Sequence, residues 1–190
     1  PPPPPPPPPP TPFLMIRRPP SSTRLNCRRQ RQMCIRDRLD VGCGQGRLLK
    51  LLASRAHRVV GVDIDPDVRR LARAEILLAG LPNCSLRQGD METLPFDDAS
   101  FDTIILDDVL ATTGEPVRAL NEARRLLRPG GRILLLASVG DARVADLQDD
   151  FSKWSGASGL RLAQPRRIPD KSPAWLLAVA TPADSAVAAA

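Results

Sequence analysis

The stretch LDVGCGQGRLL, Leu39–Leu49, decides the fold, because it joins a short apolar run to the start of an amphipathic segment through a glycine loop. Its three glycines are Gly42, Gly44 and Gly46. A loop without side chains lets a ligand approach the backbone amides. The dinucleotide spacing G-x-G-x-x-G would need glycine where Arg47 or Leu49 stands. The loop therefore predicts a nucleotide-like ligand and disfavours a nicotinamide dehydrogenase.

Two acidic residues outside the loop follow predicted strands. Asp63 ends the run RVVGVD, where its two carboxylate oxygens can accept from both hydroxyls of a ribose. Asp65, just before Pro66, already serves as the cap of the next helix, so capping does not account for Asp63. Asp90, beside Met91 in RQGDME, can accept from an adenine amino group. One loop and two carboxylates outline a nucleoside site.

Short apolar runs alternate with helical stretches, which predicts a Rossmann-like α/β fold with a doubly wound, mostly parallel sheet. We predict strands at 39–41, 58–62, 85–88, 103–106 and 132–137, and helices from Pro66 to Gly80, from Pro116 to about Arg128 and around Phe151. About eight residues separate LRLAQ from AWLLAVAT, too few for a helical crossover. These last two strands should therefore pair antiparallel as a hairpin.

Four ordered segments carry a family resemblance: LDVGCGQGRLL, VVGVDIDPDVRRLAR, RQGDMETLPFDDASFDTIILDDVL and ALNEARRLLRPGGRILLLA. Together they resemble class I S-adenosylmethionine-dependent methyltransferases, in the manner of a type 11 methyltransferase domain, over roughly Leu39 to Thr181. The resemblance implies S-adenosyl-L-methionine as cofactor and a seven-stranded sheet whose last strand is antiparallel. It also implies nine residues that contact the cofactor: Asp40, Gly42, Cys43, Gly44, Asp63, Ile64, Asp90, Met91 and Asp107.

The function that the resemblance implies is methylation of an unidentified small-molecule or protein acceptor, a small molecule being favoured. A more distant resemblance gives the alternative: the domain is similar to the methyltransferase-like half of metal-responsive winged-helix regulators, which would bind the cofactor without turnover. The sequence does not identify the acceptor. A winged helix in the upstream sequence would favour the regulator.

No catalytic base is identified from the sequence, because a methyl sulfonium is already reactive and needs mainly alignment with its acceptor. Asp107 and Asp108 could remove a proton, but cofactor contact and helix capping are the favoured roles. His57 precedes the second strand, away from the expected ligand edge. Cys43 is interpreted as a small filler. The cysteines lack CxxC spacing, so the sequence supports neither a metal site nor a disulfide framework.

Residues 1–38 differ from the remainder in composition. Ten prolines open the chain, and eight arginines against the single acid Asp37 give this segment a charge of +7. Because the whole chain carries +6, residues 39–190 carry −1. We expect a disordered polyproline and basic segment, and strings such as RQRQMCIRDR resemble translated sequencing-adapter read-through. A buried strand beginning in Arg36, Asp37 and Arg38 would carry unpaired charge. We therefore expect a first strand truncated at about residue 38, a methyltransferase domain over 39–181 and a flexible tail over 182–190.

These properties limit the partners and the location. No apolar run is long enough to span a membrane, and no secretory signal is visible. The cysteine usage suits a reducing cytoplasm. Since residues 39–190 carry about −1, we expect them not to bind nucleic acid directly.

Overall fold

The computed structural model describes residues 36–139, 143–168 and 174–184. Residues 1–35 and 185–190, with the predictions made for them, lie outside this part. The described strands are β1 Asp37–Val41, β2 Arg58–Asp63, β3 Cys84–Gln88, β4 Phe101–Asp107, β5 Leu127–Val139, β6 Leu160–Leu162, β7 Arg166–Ile168 and β8 Ala174–Pro182. The described helices are α1 Arg47–Ala53, α2 Pro66–Leu78, α3 Pro116–Leu126 and α4 Val144–Ala157. None of these helices is both long enough and apolar enough to cross a membrane.

The strands form one sheet in the order β3-β2-β1-β4-β5-β8-β6, with β7 also paired to β8. The pairs among β1 to β5 are parallel, and β8 pairs antiparallel with β5, β6 and β7. This confirms the Rossmann-like, mostly parallel fold and the antiparallel last strand. Across the described ranges the sheet has eight strands, because the connection before β8 contains the short additional strand β7.

The strand order reverses between β1 and β4, so the connections after these two strands leave in opposite directions. Such a reversal opens a crevice at the carboxyl ends of the strands, where ligands of α/β sheets bind. Two separate apolar clusters cover the sheet, one including residues of α3 and α4 and the other residues of α1 and α2. Apolar packing therefore fixes the sheet, and the crevice lies at the carboxyl ends of its strands.

The negative charge of Asp37, at the start of β1, is paired. Asp37 is 8% exposed, and its Oδ2 accepts from Arg58 at 3.2 Å and from Arg128 at 3.0 Å. The backbone amide of Asp37 donates to Asp102 Oδ2 at 2.8 Å, and Arg128 also pairs with Asp102 at 2.8 Å. Arg38 donates to the carbonyl oxygen of Arg55 at 3.0 Å. These partners come from β2, β4, β5 and the segment after α1.

The expectation of unpaired charge in this strand is therefore wrong for Asp37. Arg38 forms no ion pair among the described residues, and its buried Nε has no hydrogen-bond partner there. The sequence could not show the partners of Asp37, because they are distant along the chain. β1 begins at Asp37, two residues before the predicted start, and all five of its residues pair with β2. The domain boundaries at 38 and 181 stay predictions. Pro182 belongs to β8, and Asp184 pairs with Arg124 at 2.9 Å.

Helix boundaries follow the local signals. Asp65 caps α2 by accepting from the amides of Asp67 and Val68 at 2.8 and 3.4 Å, and Pro66 fills the first turn. α3 ends at Leu126, slightly earlier than predicted, because β5 already begins before Pro129.

Candidate functional site

The glycine loop crosses from the end of β1 to the start of α1 and is fixed by the neighbouring strand. The amides of Gly42 and Cys43 both donate to the carbonyl oxygen of Val62, at 2.8 and 2.9 Å. Gly42 has φ +69°, and a Cβ there would lie 2.3 Å from Cγ1 of Val109. Gly42 is therefore required by packing as well as by backbone conformation.

Gly44 differs from Gly42 in its surroundings. Its φ is +53°, and a Cβ there would meet no atom of the described residues within 4 Å. Its amide donates to Oδ2 of Asp63 at 2.9 Å. The space beside Gly44 is thus open, and a side chain would project into it rather than into the protein.

Two cavities flank the loop and share Gly42. The first has a volume of about 420 Å³ and is lined by Val41, Gly42, Asp63, Ile64, Gly89, Asp90, Met91, Glu92, Val109, Thr112 and Thr113. The second, of about 290 Å³, is lined by Asp40, Gly42, Cys43, Gly44, Gln45, Arg47, Leu48 and Asp107. All nine residues expected to contact a cofactor line one cavity or the other. The structure brings them together at the carboxyl edge of the sheet; that they bind a cofactor stays a prediction.

Asp63 and Asp90 stand at the same edge but are held differently. Both oxygens of Asp63 accept from backbone amides, Oδ2 from Gly44 and Oδ1 from Asp65 at 3.0 Å. Oδ1 of Asp90 accepts from the amide of Glu92 at 2.9 Å. Each carboxylate oxygen retains a free lone pair, so both side chains can still accept from a ligand. Asp63 therefore also ties the glycine loop to β2.

Asp40 lies at the base of the second cavity, where it is 1% exposed. Among the described residues neither of its carboxylate oxygens has a hydrogen-bond partner, and Oδ1 of Asp107 is likewise buried and without a partner there. Burial, followed by the neighbouring carboxylates Asp107 and Asp63, raises the pKa of Asp40 to about 7. Burial, followed by the charge of Asp108, also raises the pKa of Asp107. Unpaired buried carboxylates are costly, so this cavity favours a cationic ligand group.

Arg47 partly compensates these charges at the rim of the second cavity. Its Nη2 lies 3.5 Å from Oδ2 of Asp107, and its guanidinium stacks over the ring of Trp175 at 5.9 Å from the centroid. The Arg47 side chain is 71% exposed. It is therefore free to turn toward an anionic group of a ligand.

The structure separates the two candidate proton acceptors after β4. Asp108 adopts φ +57°, and its carboxylate accepts from the amide and the hydroxyl of Ser138 at 2.5 and 2.8 Å. Asp108 thus links β4 to β5. Of this pair only Asp107 lines the second cavity.

Cys43 and His57 have the positions expected from the sequence. Burial, followed by the charges of Asp40 and Asp63, raises the pKa of the Cys43 thiol to about 12, so it is protonated at neutral pH. A Cβ at Gly61 would lie 2.8 Å from the Cys43 sulfur, which shows how closely the thiol packs on β2. His57 lies near Asp37, at the opposite edge of the sheet, with Nδ1 3.6 Å from Oδ1.

Sequence reasoning did not identify several lining residues: Gln45, Arg47, Leu48, Glu92, Val109, Thr112 and Thr113. Gln45, Arg47 and Leu48 belong to or directly follow the glycine loop, which was a signal for them. The two threonines follow β4, but the contact of Thr113 with Glu92 depends on tertiary packing. Thr113 Oγ1 donates to Oε1 of Glu92 at 2.8 Å.

Comparisons with known proteins agree with this architecture. Two curated relatives are an uncharacterized 37.1 kDa protein of a Streptomyces fradiae transposon, 40% identical over 114 residues, and an uncharacterized methyltransferase of Mycobacterium bovis, 36% identical over 106 residues. These alignments cover 58% and 56% of this chain but only 32% and 41% of the relatives.

The crystal structure of the YcgJ protein of a Bacillus species superposes with a TM-score of 0.68 at 17% identity, covering 84% of this chain and 98% of that one. The likeness shows a shared fold. A profile described as a methyltransferase domain matches residues 39–135, about half of the chain. The chain therefore belongs to the class I S-adenosylmethionine-dependent methyltransferase family.

Proposed function

We propose that this protein binds S-adenosyl-L-methionine at the two cavities and transfers its methyl group to a small-molecule acceptor. The observation that carries the proposal is the buried, unpartnered carboxylate of Asp40 in the cavity beside the glycine loop. A ligand with a nucleoside at one end and a cationic amino acid at the other matches the two cavities, which meet at Gly42.

The residues present fit each part of that cofactor. In the first cavity Asp63 can accept from the ribose and Asp90 from the adenine amino group, while Ile64 and Met91 supply apolar walls. In the second, Asp40 can pair with the ammonium group and Arg47 with the carboxylate. When bound, the cofactor supplies an electrophilic methyl group on a sulfonium.

The contribution of this chain to the reaction is alignment and charge. The glycine loop excludes side chains from the approach to the backbone, and Asp40 and Asp107 provide negative charge in a largely buried site. Asp107, which lines the second cavity, can receive a proton from an acceptor that must lose one. The raised pKa of Asp107 suits that task, because a carboxylate whose pKa lies closer to neutral pH accepts a proton more readily.

A small-molecule acceptor is supported by what two relatives are named for. One is a demethylmenaquinone methyltransferase of Clavibacter sepedonicus, 35% identical over 97 residues, and the other is an arsenite methyltransferase of Aquipseudomonas alcaligenes, 34% identical over 118 residues. The net charge of about −1 for residues 39–190 argues against a polyanionic acceptor such as nucleic acid.

Calorimetric titration with S-adenosylmethionine, S-adenosylhomocysteine and NADH tests the proposal. The first two should bind and NADH should not; binding of NADH alone would refute the cofactor. Asp63→Ala should weaken binding of S-adenosylhomocysteine by roughly 1.5 to 3 kcal/mol, the range for hydrogen bonds to a charged group. Asp67→Ala is the matched control, because that exposed carboxylate pairs with Arg70 on α2 and lines neither cavity.

Turnover separates an enzyme from the alternative, a non-catalytic half of a regulator. Release of S-adenosylhomocysteine with any member of a panel of quinol, thiol, hydroxyl and arsenite acceptors supports the enzyme. Tight binding of S-adenosylmethionine with no release across the panel favours the regulator.

A further inference from the structure

One wall of the first cavity, residues 90–92, belongs to the long segment between β3 and β4. The opposite walls, at the ends of β1 and β2, are fixed by backbone hydrogen bonds to Val62 and by the link from Gly44 to Asp63. The segment 90–98 has few such bonds to the sheet. Side chains of α3 contact it instead.

Three polar residues of α3, here called the α3 stripe, reach this segment: Arg118, Glu122 and Arg125. Their spacing of four and three residues places them on one face of the helix. The opposite side of the segment carries Phe96, which packs edge-on against Phe101 of β4 with ring centroids 5.0 Å apart. The segment is therefore held between α3 and the core.

The contacts run along the segment in order. Nη1 of Arg118 lies 3.4 Å from Oε2 of Glu92, whose other oxygen accepts from Thr113. Oε1 of Glu122 accepts from the amide of Leu94 at 2.7 Å. The stripe thus contacts the segment directly beside the cavity wall.

Arg125 makes the largest set of contacts. Its guanidinium donates to the carbonyl oxygens of Leu94 and Phe96 at 3.3 and 3.0 Å and to Asp98 at 2.5 Å. It also donates to both oxygens of Glu122, at 2.7 and 2.9 Å. The planar guanidinium donates two hydrogen bonds to one carboxylate in a fixed geometry, which a lysine ammonium cannot reproduce. The hydrogen bond from Arg125 lowers the pKa of Glu122, so this acceptor stays ionised.

We propose that Arg118, Glu122 and Arg125 of α3 are positioning residues that hold the 90–92 wall of the nucleoside cavity and so set the affinity of the domain for the adenosine part of its ligand. The ligand half of this inference rests on the proposed function. The residues of the stripe contact the wall and the segment behind it, and none of them lines the cavity.

The test uses Arg125→Lys, which keeps the charge and removes the fork. Hydrogen exchange of the unliganded protein should become about tenfold faster in amides 90–98. Arg124→Lys is the matched control: this neighbouring arginine of α3 points elsewhere, to Asp184 and to the carbonyl oxygen of Ser158. Unchanged exchange in Arg125→Lys, or an equal increase in Arg124→Lys, would overturn the proposal.

The second readout is binding of adenosine and of S-adenosylhomocysteine. Both dissociation constants should rise by about the same factor, roughly tenfold, in Arg125→Lys, because the loss is confined to the nucleoside side. Faster exchange with unchanged dissociation constants would refute the role in affinity. If the wild-type protein bound neither ligand, the proposed function would fail, and the exchange experiment would still decide whether the stripe holds the wall.

Arg118→Gln covers the case in which Arg125→Lys does not fold. Arg118 is 62% exposed and contacts only the Glu92 end of the segment, so folding should be unaffected. Exchange should increase in amides 90–93 and not in 94–98. Equally faster exchange over the whole segment 90–98, or unchanged exchange throughout, would contradict the assignment of Arg118 to the Glu92 end of the segment.

Discussion

Two buried aspartates of β1, Asp37 and Asp40, lie three residues apart, the first toward the amino end of the strand and the second toward its carboxyl end. Asp37 is 8% exposed, its carboxylate accepts from Arg58 and Arg128, and its backbone amide donates to Oδ2 of Asp102. Asp40 is 1% exposed, and no group in the described part of the chain hydrogen bonds to its carboxylate. β1 therefore begins with a carboxylate that has arginine partners, Asp37, and carries near its other end a carboxylate without a hydrogen-bond partner in the described residues, Asp40.

The difference distinguishes structural charge from charge that serves a ligand. A buried carboxylate with arginine partners contributes to the fold, whereas one without partners destabilises the unliganded fold and is stabilised by a cation that binds there. At the amino ends of the strands, Asp37 has arginine partners within the protein. At the carboxyl ends, the proposed function gives Asp40 its partner in a cationic group of the ligand.

The largest expected effect comes from Asp40→Asn. In the unliganded protein the pKa of Asp40 rises from 3.8 to about 7 on folding. Between these values the folded state binds more protons than the unfolded state, so stability falls as pH rises through this window. Wild type should lose about 3 kcal/mol more than Asp40→Asn between pH 5 and pH 8, measured by urea unfolding.

The comparison with the variant is essential, because the pKa of Asp107 is raised too and gives a slope of the same sign. Saturating S-adenosylmethionine should reduce the difference between the two proteins, since a cation lowers the pKa of Asp40. Identical pH dependence in wild type and variant would show that Asp40 is paired in solution.

Asp37→Ala should act in the opposite way. It removes the acceptor of two arginines, and we expect a loss of about 2 kcal/mol, below the usual range for breaking a buried pair, because Arg128 keeps Asp102 and Arg58 is partly exposed. Ligand affinity should not change, because Asp37 lines neither cavity. Urea unfolding and calorimetry measure the two quantities. Weaker binding at unchanged stability would mean that Asp37 serves the ligand rather than the fold.

The smallest effect on stability is expected for Gly44→Ala. Alanine at φ +53° costs about 1 kcal/mol, and its methyl group meets no protein atom within 4 Å. Binding should be lost nearly completely, because the methyl group occupies the ligand's approach to the loop. Gly42→Ala is the contrasting variant: it would clash with Val109 and should reduce the melting temperature as well. Equal effects of both substitutions on folding would make Gly44 structural.

The features predicted from the sequence are those specified locally. Three glycines between a strand and a helix, and an aspartate before a proline, define a loop and a cap without distant residues. The partners of Asp37 are separated from it by 21, 65 and 91 residues, so only the fold could identify Arg58, Asp102 and Arg128. The same reason hid the pairing of Thr113 with Glu92 and of Asp108 with Ser138.

The position of β8 has a consequence for synthesis of the chain. β8 is the last of the described strands in sequence, yet it lies between β5 and β6. Until residues 174–182 leave the ribosome, β5 has an open edge with the apolar run Ile133–Ala137 along it. An unpaired apolar strand edge is a template for pairing with other chains. During translation this domain therefore depends on its final strand to protect it from aggregation.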